Sequence, residues 1–438
     1  MFKLCFVGAG STIFAKNVLG DCILTPELGD FEIALYDIDE SRLDESFLLL
    51  NKINSEYKGK AVIKKYTNRK DAFRNSKFII NAMQVGGIGC TYIDFDIPKK
   101  YGLRQTIGDT MGVAGVFRGL RTIKVLEEMA EEIKEVCPDV LFLNYGNPMA
   151  ILSGYINKYL GIKCVGLCHS VQYCVKGLLQ TFKMEDKLEG HSSVIYGINH
   201  QAWLLDLKDK DGNDLYPIIK AKNNEPDGSQ YDKKWDLVRL EILRTFGYYV
   251  TESSEHTSEY TPWFIKAAKP QLIEEYNIPL DEYIRRSEKQ IKEWKEQKEQ
   301  VLSNTKIEHK KSIEYACSII KAVVLNQPVV IHGNVMNTEG LIPNLPLDAC
   351  VEVPVVIDGQ GFHPQKMPPL PEVCAAINRT NINTQILAMQ GAYHRRKDEI
   401  IQACCLDPHT SSELSINEIR SLVNDMFEAE REFLPEYK

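Results

Sequence analysis

The sequence has no apolar run that approaches the roughly 20 residues needed by a membrane-spanning helix. It also lacks the basic segment, apolar stretch and cleavage site of an export signal, so we expect neither a membrane protein nor an exported one. Positive charge is in deficit, and a formal net charge of −8 argues against nucleic acid as a partner. The 438 residues, 44% of them hydrophobic, suffice for two domains with well-filled cores.

Paired cysteines are missing as well. The 12 cysteines are scattered along the chain, and none of them forms a Cys-x-x-Cys motif. Scattered cysteines without an export signal are typical of a reducing compartment, where most serve as small core residues. We therefore predict a cytoplasmic protein in which only one or two cysteines take part in chemistry.

The first half of the chain alternates between strand and helix patterns. This rhythm predicts an α/β fold, a Rossmann-type doubly wound parallel sheet. Its predicted strands cover residues 4–7, 31–36, 61–66, 78–83, 140–143 and 163–167.

The second half has a different pattern, with a hairpin turn at Asp211-Gly212 and a charged helix over 281–303. Its remaining predicted elements are strands at 328–337 and 345–358 and helices at 378–398 and 416–434. We therefore divide the chain into a Rossmann domain, residues 1–200, and a mixed α+β domain, residues 201–438, for substrate binding, catalysis and oligomerisation.

A glycine-rich loop, Gly8-Ala9-Gly10-Ser11, joins the first strand to the first helix, as a dinucleotide fingerprint requires. Glycines let a pyrophosphate approach the helix N-terminus, where free N–H groups favour anions. Ile13 replaces the third glycine, and the plainer interpretation is a turn in an ordinary α/β domain. An acidic residue after the second strand, Asp37 or as second choice Asp39, favours NAD over NADP. The predicted NAD contacts are Gly8, Gly10, Ser11, Thr12, Asp37 and Asn81.

Cys168 and His200 each follow a predicted strand, at the sheet edge where α/β folds bind ligands. A lone cysteine is more often a core residue, and a lone histidine a satisfied polar group. Together they predict a divalent metal site. Two protein ligands are too few for a closed structural zinc site and suit one left open for substrate oxygens. The ligand types leave Mn, Fe, Co and Ni open.

Three polar runs are not explained by packing alone and are therefore candidates for the site: residues 105–110, 144–149 and 252–260. The last run is equally consistent with an ordinary solvated acidic loop.

Together these residues resemble glycoside hydrolase family 4, NAD- and metal-dependent glycosidases that do not use the usual pair of carboxylates. The resemblance covers nearly the whole chain. Its motifs are the Gly8–Ser11 loop, the run from Ile97 to Arg121, Asn147-Pro148, Cys168-His169-Ser170, the run from Gly197 to His200, and Ser258-Glu259-Tyr260.

The resemblance implies a hydrolysis in which the sugar is oxidised at C3 by NAD and then loses its C2 proton beside the metal. The leaving group is eliminated, water adds, and the hydride returns. By this resemblance Tyr260 is the base and His169 the acid, with Asp109 as second candidate. The implied substrate contacts are Asn147, Asp109 and Arg286 or its neighbour Arg285, although an ion pair on the helix surface explains these arginines equally well. The implied metal on Cys168 and His200 is Mn.

The Cys-His-Ser run is similar to that of the family's α-galactosidases and α-galacturonidases. Family members that act on phosphorylated sugars have an arginine where Thr91 stands here, so a phosphate would find no bidentate partner. We therefore predict non-phosphorylated α-galactosides of the melibiose and raffinose type. An α-galacturonidase would need a cation for the C6 carboxylate, for which Lys99, Lys100 and Arg286 are candidates.

Two other classes of protein remain open. A plain NAD-dependent dehydrogenase of the lactate/malate type shares the fold, but it would leave Cys168, His200 and Tyr260 without a purpose. A sugar or NAD sensor would catalyse no turnover. By analogy with the family we expect a homodimer or homotetramer.

Overall fold

The computed structural model describes residues 1–226, 230–303 and 307–438. Over these residues one sheet has the strand order β3-β2-β1-β4-β5-β6-β10-β11-β7-β8-β9, with β12 paired to β11. The strands are β1 (Phe2–Val7), β2 (Phe31–Tyr36), β3 (Ala61–Tyr66), β4 (Phe78–Asn81), β5 (Leu141–Asn144), β6 (Cys164–Gly166), β7 (Ser192–Ile198), β8 (Gln201–Lys208), β9 (Tyr249–Val250), β10 (Val329–Met336), β11 (Cys350–Asp358) and β12 (Gly361–Pro364).

Helices surround this sheet. In the described part of the chain, none of them combines the length and the apolar character needed to cross a membrane. The helices are α1 (Thr12–Ile23), α2 (Glu40–Glu56), α3 (Arg69–Phe73), α4 (Gly87–Lys100), α5 (Gly112–Val136), α6 (Met149–Tyr155), α7 (Ser170–Thr181), α8 (Tyr216–Asn223), α9 (Leu237–Phe246), α10 (Ser254–Glu259), α11 (Gln271–Glu275), α12 (Glu282–Ser303), α13 (Tyr315–Leu325), α14 (Glu372–His394), α15 (Lys397–Leu406), α16 (Pro408–Glu413) and α17 (Ile416–Ala429).

Strands β1 to β6 are all parallel and lie in the Rossmann order 3-2-1-4-5-6. Alternate side chains of β1 face opposite layers, as strand geometry requires. Leu4 and Phe6 belong to the core that contains α1 and α2, whereas Cys5 and Val7 belong to the core that contains α5. Both faces are therefore covered by helices, and the prediction of a doubly wound sheet is confirmed.

Antiparallel strands from the second half extend the sheet beyond β6. Asn334 of β10 pairs with Gly166, and Glu352 of β11 pairs with Gly197 of β7. The sheet continues across residue 200, which lies in the turn between β7 and β8. The division into domains at that residue remains a prediction.

The turn predicted at Asp211-Gly212 is present, but no second strand pairs across it in the described residues. The turn there closes only one bridge, between Lys208 and Asp214. The real hairpin joins β7 and β8 through Asn199-His200, where His200 has a left-handed φ of 62°. Sequence reasoning missed it because histidine is not a usual turn residue, whereas Asp-Gly is.

The other predicted elements are present with shifted ends. The strand predicted from residue 345 begins at Cys350, and the helix predicted to reach residue 434 ends at Ala429. The helix predicted over 378–398 begins earlier, at Glu372, and ends at His394.

Candidate active site

A cavity of about 880 Å³ opens at the carboxyl ends of the parallel strands. Its wall includes Met83 after β4, Asn147 after β5 and Cys168 after β6. Open α/β sheets bind their ligands at this edge. His200 and Glu252 reach the same cavity from the antiparallel extension.

The glycine loop lies beside this cavity. Gly8 has a φ of +87°, and a Cβ there would lie 2.8 Å from the carbonyl carbon of Ala82, so only glycine fits. The Gly10 N–H donates to Asp37 Oδ2 at 2.6 Å, which brings the acidic residue to the loop. Ser11 precedes α1, and its side chain makes no capping bond to the helix. The first turn of α1 therefore keeps N–H groups for an anion.

Other residues near the loop are committed to packing. The Ser46 hydroxyl donates to the Thr12 hydroxyl at 3.0 Å, and Thr12 is buried. Asn81 is also buried, and its Nδ2 donates to Asn144 Oδ1 at 2.9 Å. Asp39 accepts from the Arg42 N–H as the N-cap of α2. The side chains of Thr12 and Asn81 are therefore already hydrogen-bonded within the protein, and their contact with NAD remains a prediction.

Cys168, His200 and Glu252 form a cluster in which one ligand atom of each lies within 4.8 Å of the others. His200 Nε2 lies 3.9 Å from Glu252 Oε2. The structure thus brings together the two residues predicted to bind metal and adds Glu252, which sequence reasoning missed. Its only signal was its place in the polar run over 252–260.

The electrostatics of this cluster favour a cation. Burial raises the pKa of the Cys168 thiol, and the neighbouring Glu352 and Glu252 raise it further. Burial also raises the pKa of Glu352 to about 7. Burial opposes ionisation of Glu252, but His200 and His256 outweigh it and lower the pKa of that carboxyl. A thiol, an imidazole and a carboxylate fit a divalent transition metal better than Mg²⁺ or Ca²⁺, which prefer oxygen ligands.

His169 lines the cavity next to this cluster, and its Nε2 lies 2.7 Å from Glu314 Oε2. Burial lowers the pKa of His169, but the contact with Glu314 outweighs burial and raises it above its ordinary value. Glu314 therefore favours the protonated form of this imidazole at the cavity wall. Glu314, at the start of α13, has no sequence signal that connects it to His169.

Asp109 and Asn147 also meet at the cavity wall. Asn147 Nδ2 donates to Asp109 Oδ2 at 2.8 Å, while the buried Asp109 Oδ1 has no partner. Arg118, which was not among the predicted site residues, donates from Nε to the Asn147 carbonyl and from Nη1 to the Tyr283 hydroxyl. Among the described residues this buried oxygen of a cavity-wall residue thus has an unused acceptor site.

Tyr260 lies behind His200, with ring centroids 6.0 Å apart, and it is almost completely buried. Burial raises its pKa well above the ordinary value of tyrosine, with Thr110 opposing and Asp109 and Cys168 adding to the effect. Its hydroxyl is therefore protonated unless positive charge is added nearby.

The run over 252–260 is not a solvated loop, and that interpretation is wrong. Residues 254–259 form α10, and the buried Glu259 carboxylate accepts from the backbone N–H groups of Thr106, Ile107 and Gly108 at 2.6–3.2 Å. A carboxylate that accepts several N–H bonds is a strong anchor. Glu259 therefore fixes the polar loop that carries Asp109.

The residues proposed to recognise C6 lie outside the cavity wall. Arg286 pairs with Glu255 at 3.0 Å and with Glu282 at 2.7 Å, so its prediction as a substrate contact finds no support in the geometry. Lys99 pairs with Asp281 at 3.0 Å.

Thr91, which the resemblance predicts to separate phosphorylated from free sugars, is buried, and its hydroxyl accepts from Gln84 at 3.1 Å. The buried Arg121 is bound to Asp94 and Glu430 at 2.6 and 2.9 Å. That guanidinium is therefore engaged by two carboxylates.

Comparison with known proteins shows the family to which the chain belongs. A model of the family 4 glycosyl hydrolases matches residues 3–184, and a model of their C-terminal domain matches residues 195–410. An alpha-galactosidase of Bacillus subtilis is 52% identical over all of both chains. An alpha-galactosidase of Rhizobium meliloti is 32% identical over all of this chain and 90% of its own length. An alpha-galacturonidase of Thermoanaerobacter italicus is 25% identical over 99% of this chain and 97% of its own.

Solved structures share the fold. A 6-phospho-alpha-glucosidase from gut microorganisms, in complex with NAD and Mn²⁺, superposes with a TM-score of 0.82 at 21% identity over all of both chains. A malate dehydrogenase of Plasmodium falciparum superposes with a TM-score of 0.51 at 14% identity, over 91% of this chain and all of its own. The resemblance inferred from the motifs is confirmed, and the chain belongs to glycosyl hydrolase family 4.

Proposed function

We propose that the protein hydrolyses terminal, non-phosphorylated α-galactosides and uses NAD and a divalent metal, first of all Mn²⁺. One observation carries the proposal. The Cys168, His200 and Glu252 cluster and the strand ends beside the glycine loop share one cavity, as oxidation and deprotonation of the same sugar require. The 52% identity to an alpha-galactosidase supports the choice of sugar.

Cys168, His200 and Glu252 hold the metal in this proposal, and Gly8, Gly10, Ser11 and Asp37 hold NAD. When bound, the metal supplies Lewis-acid stabilisation of charge on sugar oxygens, and NAD supplies a reversible hydride acceptor. Three protein ligands leave coordination positions for the substrate.

The residues of this chain carry the proton transfers. His169, paired with Glu314, donates a proton to the oxygen of the leaving group. Asp109 remains the second candidate for this acid, and it also accepts from a sugar hydroxyl beside Asn147. Tyr260 removes the C2 proton, and its buried hydroxyl depends on positive charge at the neighbouring cluster to ionise.

An α-galacturonidase is the second candidate, and Arg118 is the observation that favours it. This buried cation lines the cavity beside Asn147. A carboxylate at C6 needs such a partner. Arg118 already donates hydrogen bonds to Asn147 and Tyr283. Binding of galactose, which has no carboxylate at C6, does not require these bonds to break.

The test is release of nitrophenol from p-nitrophenyl α-galactoside and from the matching α-galacturonide, with NAD, Mn²⁺ and a thiol present. We expect the galactoside to be cleaved, without net accumulation of NADH, and activity to be lost when either cofactor is removed. NADH accumulating in step with product would indicate a dehydrogenase, and preference for the galacturonide would select the second candidate. No turnover of either compound would point to a sensor.

We also propose that the protein acts in the cytoplasm as a homodimer or homotetramer. All 12 cysteines are free thiols, as a reducing compartment would keep them. Light scattering should then give a mass of two or four times 49.8 kDa. A mass of one chain would contradict the oligomer.

A further inference from the structure

The cavity extends beyond the residues that the proposed reaction uses. Part of its wall belongs to the cofactor side, at Phe14 and Met83, and part to the sugar side, at His200 and Asn147. A third part has no role in either. It comprises one face of α7 together with Asp232, Trp235 and Arg239.

The face of α7 that lines the cavity is a continuous stripe. Its members, spaced by three and four residues as one side of a helix requires, are Tyr173, Lys176, Gly177, Gln180 and Thr181. The opposite face, with Val171, Cys174, Val175, Leu178 and Leu179, belongs to a hydrophobic core. Because α7 begins at Ser170, directly after His169, Gln180 lies about 15 Å along the helix axis from the proposed acid. The wall therefore continues well past one sugar ring.

Trp235 gives this third part of the wall a fixed aromatic surface. A Cβ at Gly177 would lie 3.0 Å from the indole Cη2, so the missing side chain lets the ring lie against α7. A glycine inside a helix costs about 1 kcal/mol relative to alanine, and no other feature of α7 requires one. The Arg239 guanidinium lies 5.0 Å from the centre of the indole and is itself bound by Asp236 and the Thr251 carbonyl.

The ring held in this way remains open to a ligand. Trp235 is 44% exposed and Tyr173 is 56% exposed, although both are large aromatic side chains. Lys176 and Gln180 are exposed between them and offer donors and acceptors. Aromatic rings with a few polar groups are the usual lining of a small-molecule site. Sugar rings match it because they combine an apolar C–H face with hydroxyl groups at the rim.

We propose that the α7 face and Trp235 form the subsite for the leaving group and that it accepts an oligosaccharide, such as the sucrose unit of raffinose. This inference rests on the proposed galactosidase function. Position supports the assignment, since the subsite starts at His169, which protonates the leaving oxygen in the proposed reaction. Trp235 and Tyr173 bind the leaving sugars without touching the reacting bonds, so they determine specificity.

The test compares raffinose with methyl α-galactoside, whose leaving group has no ring. Trp235→Ala should lower kcat/KM for raffinose about tenfold more than for methyl α-galactoside, mainly through KM. Gly177→Leu, which fills the space under the indole with a better helix former, should cause the same selective loss. The matched control is Trp263→Ala, since Trp263 is 42% exposed but lies outside the cavity wall. It should change both substrates equally.

The outcomes separate this inference from the function on which it rests. If the wild-type protein cleaves both compounds and Trp235→Ala lowers both equally or neither, the subsite is wrong and the galactosidase function stands. If the wild-type protein cleaves neither, the proposed function fails, and the subsite fails with it.

Discussion

Cys168 is the residue on which the proposed chemistry depends most. Two carboxylates, Glu352 and Glu252, lie near this buried thiol and raise its pKa further. A core cysteine gains nothing from such neighbours, whereas a cysteine that binds a cation does. Cys168→Ser should weaken Mn²⁺ binding at least tenfold and abolish turnover, because a hydroxyl is a much poorer ligand than a thiolate. NAD binding should remain nearly intact. Calorimetric titration with Mn²⁺ and then with NAD measures both.

The control for this variant is Cys405→Ser, which changes a partly buried thiol outside the cavity wall. It should bind Mn²⁺ and NAD like the wild-type protein. Loss of NAD binding in Cys168→Ser would mean that the cysteine supports the fold rather than a metal.

The residue that acts as the acid can be identified by comparing how a substitution changes the rates on substrates with different leaving groups. Melibiose needs a proton on its departing sugar, whereas nitrophenolate departs without one. His169→Gln should therefore slow melibiose by about 10²–10⁴-fold and p-nitrophenyl α-galactoside far less. Asp109→Asn should slow both alike. Initial rates on the two substrates decide, and the reverse pattern would make Asp109 the acid.

Cys168 and His200, at strand ends, were predictable from the sequence, whereas Glu314 and Glu252 were not. Cys168 and His200 meet because each follows a strand of one sheet. Glu314 reaches His169 from 145 positions away, and no local pattern records such a contact. Glu252 was visible only as one acid among several, since buried and solvated carboxylates look alike in a sequence.

At the scale of elements, α10 positions the loop that carries Asp109. Glu259→Gln removes the charge from a side chain that accepts three backbone N–H bonds. The free energy of unfolding should therefore fall by about 1–3 kcal/mol. The loosened loop should also raise KM. Urea unfolding and initial-rate kinetics test both effects.

The matched variant in the same helix is Glu255→Gln. It removes an ion pair with the half-exposed Arg286 and should cost less than about 1 kcal/mol. Equal destabilisation by the two variants would show that the N–H bonds to Glu259 stabilise the fold no more than the surface ion pair of Glu255 does.

Local elements followed from hydrophobic patterns more closely than their pairing did. Strands β2 and β3 occupy the predicted residues 31–36 and 61–66. The antiparallel extension was not predicted, because β10 joins β6 through a single residue pair and β11 joins β7 through another. Such pairings depend on register between distant segments, which periodicity does not encode.

At the scale of the whole molecule, burial of neutral histidine makes stability sensitive to acid. Burial lowers the pKa of His332 from 6.5 to about 4, although a backbone contact with Ile195 opposes this shift. The unfolded chain therefore takes up the proton first, and stability present above pH 6.5 is lost as the pH falls towards 4. The loss amounts to about 3 kcal/mol.

The test of this effect is urea unfolding of the wild-type protein and His332→Gln at several pH values. The variant should lose less stability over that interval, whatever its stability at neutral pH. If the two proteins lost equal stability as the pH falls, the effect could not be assigned to His332.

The proposed hydrolysis depends above all on removal of the proton at C2 of the sugar. The most direct measurement is hydrolysis of melibiose in D₂O with NAD and Mn²⁺, followed by NMR of the released galactose. We expect deuterium at C2, because the proton removed there exchanges with solvent before water adds. Galactose that retains hydrogen at C2, as direct displacement by water would leave it, would rule out deprotonation at this carbon.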